Sequence, residues 1–65
     1  MRIIVNGAWR ETAGVELASV LAELGYAEAV VATAINGEFV AAALRAQTPV
    51  MDGDRIEVLA PMQGG

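Results

Sequence analysis

Residues 2–7 read Arg2-Ile3-Ile4-Val5-Asn6-Gly7 and predict a strand followed by a tight turn. β-Branched residues favour a strand, and alternation along it places Ile3 and Val5 on one face and Ile4 on the other. Asn-Gly is the strongest short signal for a β-hairpin, because both residues tolerate a positive φ. We therefore predict that a return strand, from about Trp9 to Thr12, pairs with the first.

The spacing of apolar residues becomes helical after this hairpin. A helix from about Val15 to Leu24 is predicted, because its apolar residues fall at i, i+3, i+4 and i+7 on one stripe: Leu17, Val20, Leu21 and Leu24. Glu16 would lie in the first turn, where the helix dipole favours a negative charge. Gly25 stands where the C′ residue of a helix belongs.

A second hairpin is predicted in the middle of the chain. A strand from Val30 to Ile35 leads into another Asn-Gly turn, Asn36-Gly37, and a return strand from Glu38 to Val40. Residues 41–47 have helical propensity but form a short segment, so we predict one turn of helix or a loop there.

The last strand is predicted at Arg55 to Leu59, after a turn at Asp52-Gly53-Asp54. One helix would then cover one face of a mixed sheet of four to five strands, which is an α+β domain of two layers. The helix stripe would pack on four inward-facing strand residues, Ile3, Val5, Ile56 and Val58.

The opposite face of this sheet is predicted to be apolar and of low relief. Alternate residues point outward, so Ile4 on the first strand and Leu59 on the last would lie on this face. A register that turns Thr33 inward adds two small residues, Ala32 and Ala34. Single exposed apolar residues are ordinary, but an apolar surface leading toward the C-terminus favours a partner interface.

The composition excludes most side-chain chemistry. The 65 residues contain no Cys, no His and no Lys, and the four basic residues are all Arg. There is therefore no thiolate nucleophile, no imidazole base and no usual zinc site. The net charge of −4 argues against nucleic-acid binding, and no apolar run approaches the ~20 residues of a membrane span. We expect a cytoplasmic domain that binds neither nucleic acid nor membrane.

The acidic turn is the candidate for a cation site. Asp52 and Asp54 flank Gly53, and Glu57 is near. An EF-hand loop would need a longer run of oxygen ligands and a closing Glu at its twelfth position. Aspartates that bond local backbone N–H groups explain the pattern better, so we predict a turn and no metal. Ser19, the only Ser, has no His to activate it as a nucleophile.

The C-terminal residues are predicted to form a slender tail. Pro61 has no backbone N–H and cannot extend a ladder, so we predict a single domain at 1–60 and a flexible tail at 61–65. Six residues span at most ~20 Å, and Gly64 and Gly65 have no side chains to hinder passage into a narrow channel. The ionised terminal carboxylate is a poor electrophile and would need activation by an ATP-using partner. The alternative is an inert, frayed terminus.

The order of elements and this ending resemble the ubiquitin-like β-grasp sulfur carriers of thiamine biosynthesis. The resemblance spans the chain and rests on Ile3-Ile4-Val5-Asn6-Gly7, Ala32-Thr33-Ala34-Ile35-Asn36-Gly37-Glu38, Asp52-Gly53-Asp54-Arg55-Ile56-Glu57-Val58 and Gln63-Gly64-Gly65. Each turn motif alone is weak, but their order together with a terminal Gly-Gly is fairly specific.

The resemblance implies a carrier that is a cosubstrate of other enzymes and not itself a catalyst. A partner adenylyltransferase (ThiF-like) would activate Gly65 with ATP and magnesium, and sulfur from a cysteine desulfurase would then leave a thiocarboxylate on it. A thiazole synthase (ThiG-like) would use that sulfur for the thiazole ring of thiamine. By matching position, Gly64 would give an unhindered approach, and Leu59 with Met62 would contact partners. The free carrier would be a monomer with no bound cofactor.

Three other functional hypotheses are compatible with the sequence. The small subunit of molybdopterin synthase shares the fold and the terminus but is usually longer, so we rank it second. A ubiquitin-like modifier would be joined through Gly65 to lysines of target proteins, although a chain without Lys could not form lysine-linked polymers of itself. A plain interaction domain with an inert tail is a further class.

Overall fold

The computed structural model describes residues 1–60, which contain five β-strands, one α-helix and one 3₁₀ helix. In chain order these are β1 (Arg2–Val5), β2 (Ala8–Glu11), α1 (Leu17–Glu23), β3 (Ala32–Ile35), β4 (Glu38–Val40), the 3₁₀ helix (Ala42–Gln47) and β5 (Arg55–Leu59). The predicted order of elements and the α+β class with one main helix are confirmed. Pro61 and the predicted tail lie outside the described residues.

Both Asn-Gly turns form as predicted. Asn6 and Asn36 each have a φ of 49°, and the glycines that follow them have φ values of 86° and 87°. Positive φ at both central residues is the geometry of a type I′ turn, whose twist matches that of two paired strands. β1 therefore pairs with β2, and β3 with β4, as two antiparallel hairpins.

The strand β5 joins the two hairpins into one sheet. It lies between β1 and β3 and gives the order β2-β1-β5-β3-β4. Its pairing is parallel with β1 and antiparallel with β3, so the sheet is mixed, as predicted. The strand that precedes the C-terminal segment is thus the central one.

The core lies between α1 and one face of the sheet. α1 buries Leu17, Val20 and Leu21. They belong to one cluster with the four predicted inward residues, Ile3, Val5, Ile56 and Val58. Each such side chain contributes roughly 1.5–3 kcal/mol on burial. Val40 and Val50 complete the cluster, and the sequence pattern did not assign either to it.

The helix α1 begins two residues later than predicted, because the chain before it is extended. The Val15 carbonyl accepts from the Val50 N–H at 3.0 Å, and Glu16 forms an isolated bridge with Pro49. Glu16 is therefore the N-cap and not a first-turn residue, and its carboxylate accepts from the Ser19 N–H. Among residues 1–60, no helix is long and apolar enough to cross a membrane.

The strand β3 is also shorter than predicted, which corrects the boundary at Val30. It begins at Ala32, opposite Leu59, where β5 ends. Residues before Ala32 therefore have no ladder partner on that strand. The Val31 carbonyl accepts instead from Arg45 Nη2 at 2.6 Å, and the Val30 side chain is 81% exposed. Arg45 belongs to the 3₁₀ helix, which is longer than the one turn predicted.

Two buried threonines differ in what their hydroxyls contact. Thr33 Oγ1 donates to the Val40 carbonyl at 2.9 Å and accepts from Arg45 Nε at 3.0 Å. Thr12 Oγ1 is buried and has no hydrogen-bond partner among residues 1–60. A buried hydroxyl without a partner costs free energy, because its lost hydration is not replaced.

We expect Thr12→Val to raise the free energy of unfolding by about 1 kcal/mol, because it removes an unpaired hydroxyl and keeps the shape of the side chain. The matched change Thr33→Val is expected to lower it by about 1–3 kcal/mol, since Arg45 and the Val40 carbonyl each lose a partner. Urea unfolding followed by circular dichroism measures both values. Equal losses of stability would show that the Thr12 hydroxyl is paired in solution.

Candidate functional site

The sheet face opposite α1 carries a shallow apolar hollow. Its volume is about 130 Å³, and it is lined by Ala32, Thr33, Ala34, Phe39, Glu57 and Leu59. Phe39 is 73% exposed and Leu59 is 68% exposed, although both are large apolar side chains. A large apolar side chain open to solvent at the rim of a hollow is typical of a surface that a partner covers.

The strand register explains why the hollow forms here. Ala34 of β3 lies between Phe39 of β4 and Glu57 of β5. Ala32 lies opposite Leu59 in the same ladder. The two alanines are the smallest side chains in this region, so the middle strand is low and its larger neighbours stand above it.

A second hollow extends the first toward the end of β5. Its volume is about 400 Å³, and it shares Ala32 and Leu59 with the first. Its other lining residues are Val30, Val31 and Ala60, the last residue that the structure describes. We name the joined surface the apolar patch and define it as Val30, Ala32, Ala34, Phe39, Leu59 and Ala60.

The structure brings together three of the residues predicted as partner contacts, namely Ala32, Ala34 and Leu59. Phe39 was not predicted from the sequence as a partner contact. Phe39 precedes the buried Val40 on β4, so alternation along the strand places it on the outward face. Val30 is missed as well, although alternation along the strand predicted from Val30 to Ile35 places it on the same face as Ala32 and Ala34. The predicted contact Met62, the threading residue Gly64 and the sulfur-carrying Gly65 lie outside the described residues, so those assignments stay predictions.

Ile4 faces the same side of the sheet but lies apart from the apolar patch. The register places it between Trp9 on β2 and Arg55 on β5, and it lines neither hollow. The Arg2 guanidinium lies 4.7 Å from the centroid of the Trp9 ring, within cation–π range. The neighbourhood of Ile4 is therefore aromatic and cationic, and the structure does not join it to the other predicted contacts.

One charged side chain borders the first hollow. Glu57 is exposed and is the only ionisable residue among the six that line it. A carboxylate at the edge of an apolar surface favours a partner that presents a positive group there and disfavours a partner that presents a negative one. The apolar patch and Glu57 beside it therefore favour a partner surface that is apolar and carries a positive group at its edge.

The predicted turn at Asp52-Gly53-Asp54 forms, but only Asp54 accepts from a local backbone N–H, whereas Asp52 accepts from the first strand. Asp52 Oδ1 accepts from the Arg2 N–H at 2.9 Å, and Asp54 Oδ2 accepts from the Met51 N–H at 2.8 Å. Asp54 Oδ1 accepts from the Asn36 side chain at 3.1 Å. In residues 1–60 no group of three or more acidic, His or Cys side chains could hold a metal ion.

A five-stranded mixed sheet with a parallel central pair and one helix across one face defines a ubiquitin-like β-grasp domain. The model of the ThiS family matches residues 3–65. The chain belongs to the ThiS family.

Solved structures agree with this assignment. The crystal structure of a thiamine biosynthesis protein (ThiS) from Geobacter metallireducens is 33% identical, with full coverage of both chains and a TM-score of 0.84. An NMR solution structure of a thiamine biosynthesis protein from the same organism is 32% identical and covers 100% of this chain and 88% of the other, with a TM-score of 0.79. A comparison with curated protein sequences gives no significant match.

Proposed function

We propose that this chain is a sulfur carrier of thiamine biosynthesis that holds sulfur as a thiocarboxylate on Gly65. The observation that carries the proposal is that the apolar patch reaches the end of β5, where its residue Leu59 precedes Gly65 by only six residues. Membership of the ThiS family and the likeness to a thiamine biosynthesis protein support the same function.

The composition supports a backbone site for the sulfur. The chain has no Cys, so no side-chain thiol is present to hold a transferable sulfur atom. The terminal carboxylate can hold it only after activation, because a carboxylate is a poor electrophile. A carboxylate oxygen would attack the α-phosphorus of ATP and release pyrophosphate, which leaves an acyl-adenylate with AMP as a good leaving group.

Sulfur would then replace AMP at the acyl carbon. A persulfide from a cysteine desulfurase would attack this carbon and expel AMP, and reduction of the resulting acyl disulfide by a thiol would leave the thiocarboxylate. A thiazole synthase would consume this sulfur for the thiazole ring. ATP and magnesium would be held by the adenylyltransferase, and the present chain would be a cosubstrate in the cytoplasm and not a catalyst.

The contribution of this chain is recognition and delivery. The apolar patch would dock on a partner, with Glu57 facing a positive group at the rim of the contact. Beyond Leu59, six residues can span at most ~20 Å, which is enough to enter a site recessed in that partner. Gly64 and Gly65 lack side chains, so they would pass through a narrow channel, and Met62 would contact its wall.

Mass spectrometry of the intact chain tests this function. The chain is incubated with the adenylyltransferase of its own organism, ATP, magnesium and sodium sulfide, with a control that lacks ATP. We expect an adenylate adduct without sulfide and, with sulfide, a mass gain equal to the exchange of one oxygen for sulfur. No ATP-dependent mass change would overturn the proposal. Attachment to lysines of other proteins would instead indicate a ubiquitin-like modifier.

A further inference from the structure

The side chain of Asn6 continues the pairing between β1 and β5 after the backbone of β1 has turned away. The backbone ladder ends with the Asn6 N–H donating to the Ile56 carbonyl at 3.0 Å. The Asn6 amide then takes the next position, because Nδ2 donates to the Val58 carbonyl at 3.0 Å and Oδ1 accepts from the Val58 N–H at 2.8 Å. One side chain thus satisfies both backbone groups of Val58.

This contact determines how firmly the end of β5 is held. On one side, β3 pairs with β5 as far as Leu59. On the other side, the paired residues of β1 reach only to Ile56, and the Asn6 amide is what holds Val58. Without this amide, the last residues of β5 would be bonded along one edge alone and would fray more readily.

The second Asn-Gly turn provides an internal comparison. Asn36 has the same φ of 49° and also bonds to β5, since its Oδ1 accepts from the Arg55 N–H at 3.0 Å. It holds the first residue of β5, however, whereas Asn6 holds a residue next to the apolar patch. The two asparagines therefore share turn geometry and strand but act at opposite ends of β5.

We propose that Asn6 is a positioning residue that fixes the direction in which the chain leaves β5 toward Gly65. This inference rests on the proposed function of Gly65. A tilt of about 10° at Val58 would displace Ala60, about 7 Å further along the chain, by about 1 Å. Misplacement of a reacting group by about 1 Å can cost a hundredfold in rate. The flexible tail predicted for residues 61–65 would absorb part of this displacement, so we expect a smaller loss at the carboxylate.

The test compares Asn6→Gly with Asn36→Gly. Glycine accepts the positive φ of both turns, so each variant keeps the turn and loses only the side-chain contacts with β5 and its neighbours. Adenylation kinetics with the partner adenylyltransferase give kcat and KM, chemical unfolding gives stability, and hydrogen exchange gives the protection of the Leu59 amide, which lies in the ladder with β3. Asn6→Asp is added because it keeps the acceptor of the side chain and loses the donor.

For Asn6→Gly we expect kcat to fall about tenfold, KM to change less than about threefold, and exchange of the Leu59 amide to accelerate. Asn36→Gly should keep kcat within about twofold even if its stability falls equally. Asn6→Asp should not recover the lost rate, because a carboxylate oxygen would face the Val58 carbonyl where the amide donor stood. These results would separate positioning from a general loss of stability, because both glycine variants remove hydrogen bonds to the same strand.

Equal kcat values for the two glycine variants would overturn the proposal, as would an Asn6→Gly defect confined to KM. If the unchanged chain is not adenylated at all, the proposed function of Gly65 fails. Hydrogen exchange of the free protein then remains as the test of whether Asn6 holds the end of β5. Unaltered protection of the Leu59 amide in Asn6→Gly would then overturn it. Loss of this protection in Asn6→Gly but not in Asn36→Gly would support it.

Discussion

Deletion of Gly65 is expected to lower the rate of adenylation by at least about a thousandfold. The new terminal carboxylate, on Gly64, would lie about 3.5 Å short of the position that the intact chain reaches, and misplacement by about 1 Å can already cost a hundredfold. The apolar patch is unchanged by the deletion, so affinity for the adenylyltransferase should change little. Pyrophosphate release measures the rate, and calorimetry without ATP measures the affinity.

The Gly65 deletion has a control that retains chain length. Gly65→Ala keeps the carboxylate at the same distance along the chain but adds one methyl group beside it. We expect it to retain more activity than the deletion and less than the unchanged chain, because the methyl group narrows the approach. Adenylation of the deleted chain at nearly the full rate would contradict the assignment of the reacting carboxylate to Gly65.

Leu59→Arg is expected to weaken binding to the adenylyltransferase by about thirtyfold or more. Leu59 lines both hollows, so the substitution removes apolar contact area and also places an unpaired charge in the contact. A loss of about 2 kcal/mol, the size of a hot-spot effect, corresponds to about thirtyfold in the dissociation constant. The side chain is 68% exposed, so the folded domain should tolerate the change. Calorimetric titration of the partner measures the dissociation constant.

Leu44→Arg is the matched control for this surface. Leu44 is 53% exposed on the 3₁₀ helix, lines neither hollow, and gains the same charge when it becomes Arg. We expect its dissociation constant to stay within about threefold of that of the unchanged chain. Equal weakening by both substitutions would indicate an effect of net charge and would exclude the apolar patch as the docking surface.

Local signals in the sequence were sufficient for both Asn-Gly turns and for seven of the nine buried core residues. Asn6-Gly7 and Asn36-Gly37 each specify their own backbone geometry, and strand alternation then assigns Ile3, Val5, Ile56 and Val58 to the core. These predictions succeed because a period of two residues or a positive φ is determined within a few residues.

Contacts between distant segments account for what was missed. Val15 is extended because it pairs with Val50, which comes 35 residues later, so the local helical pattern overestimated α1. Ile4 was grouped with Leu59 because the pleat predicts the face of a residue but not its position along the sheet. Its separation from the patch follows from the parallel register of β1 with β5, and the place of Phe39 follows from its pairing with Ala34.

Because β5 is the central strand and the last one in the chain, the sheet can be completed only after nearly all residues have been synthesised. β5 is synthesised after the other four strands, and a two-stranded hairpin alone is at best marginally stable in water. The β1–β5 pairing joins residues as far apart as Ile4 and Arg55, a separation that slows folding. A nascent chain interrupted before β5 would lack Leu59 and with it both hollows, so the proposed docking surface would exist only in chains whose sheet is complete.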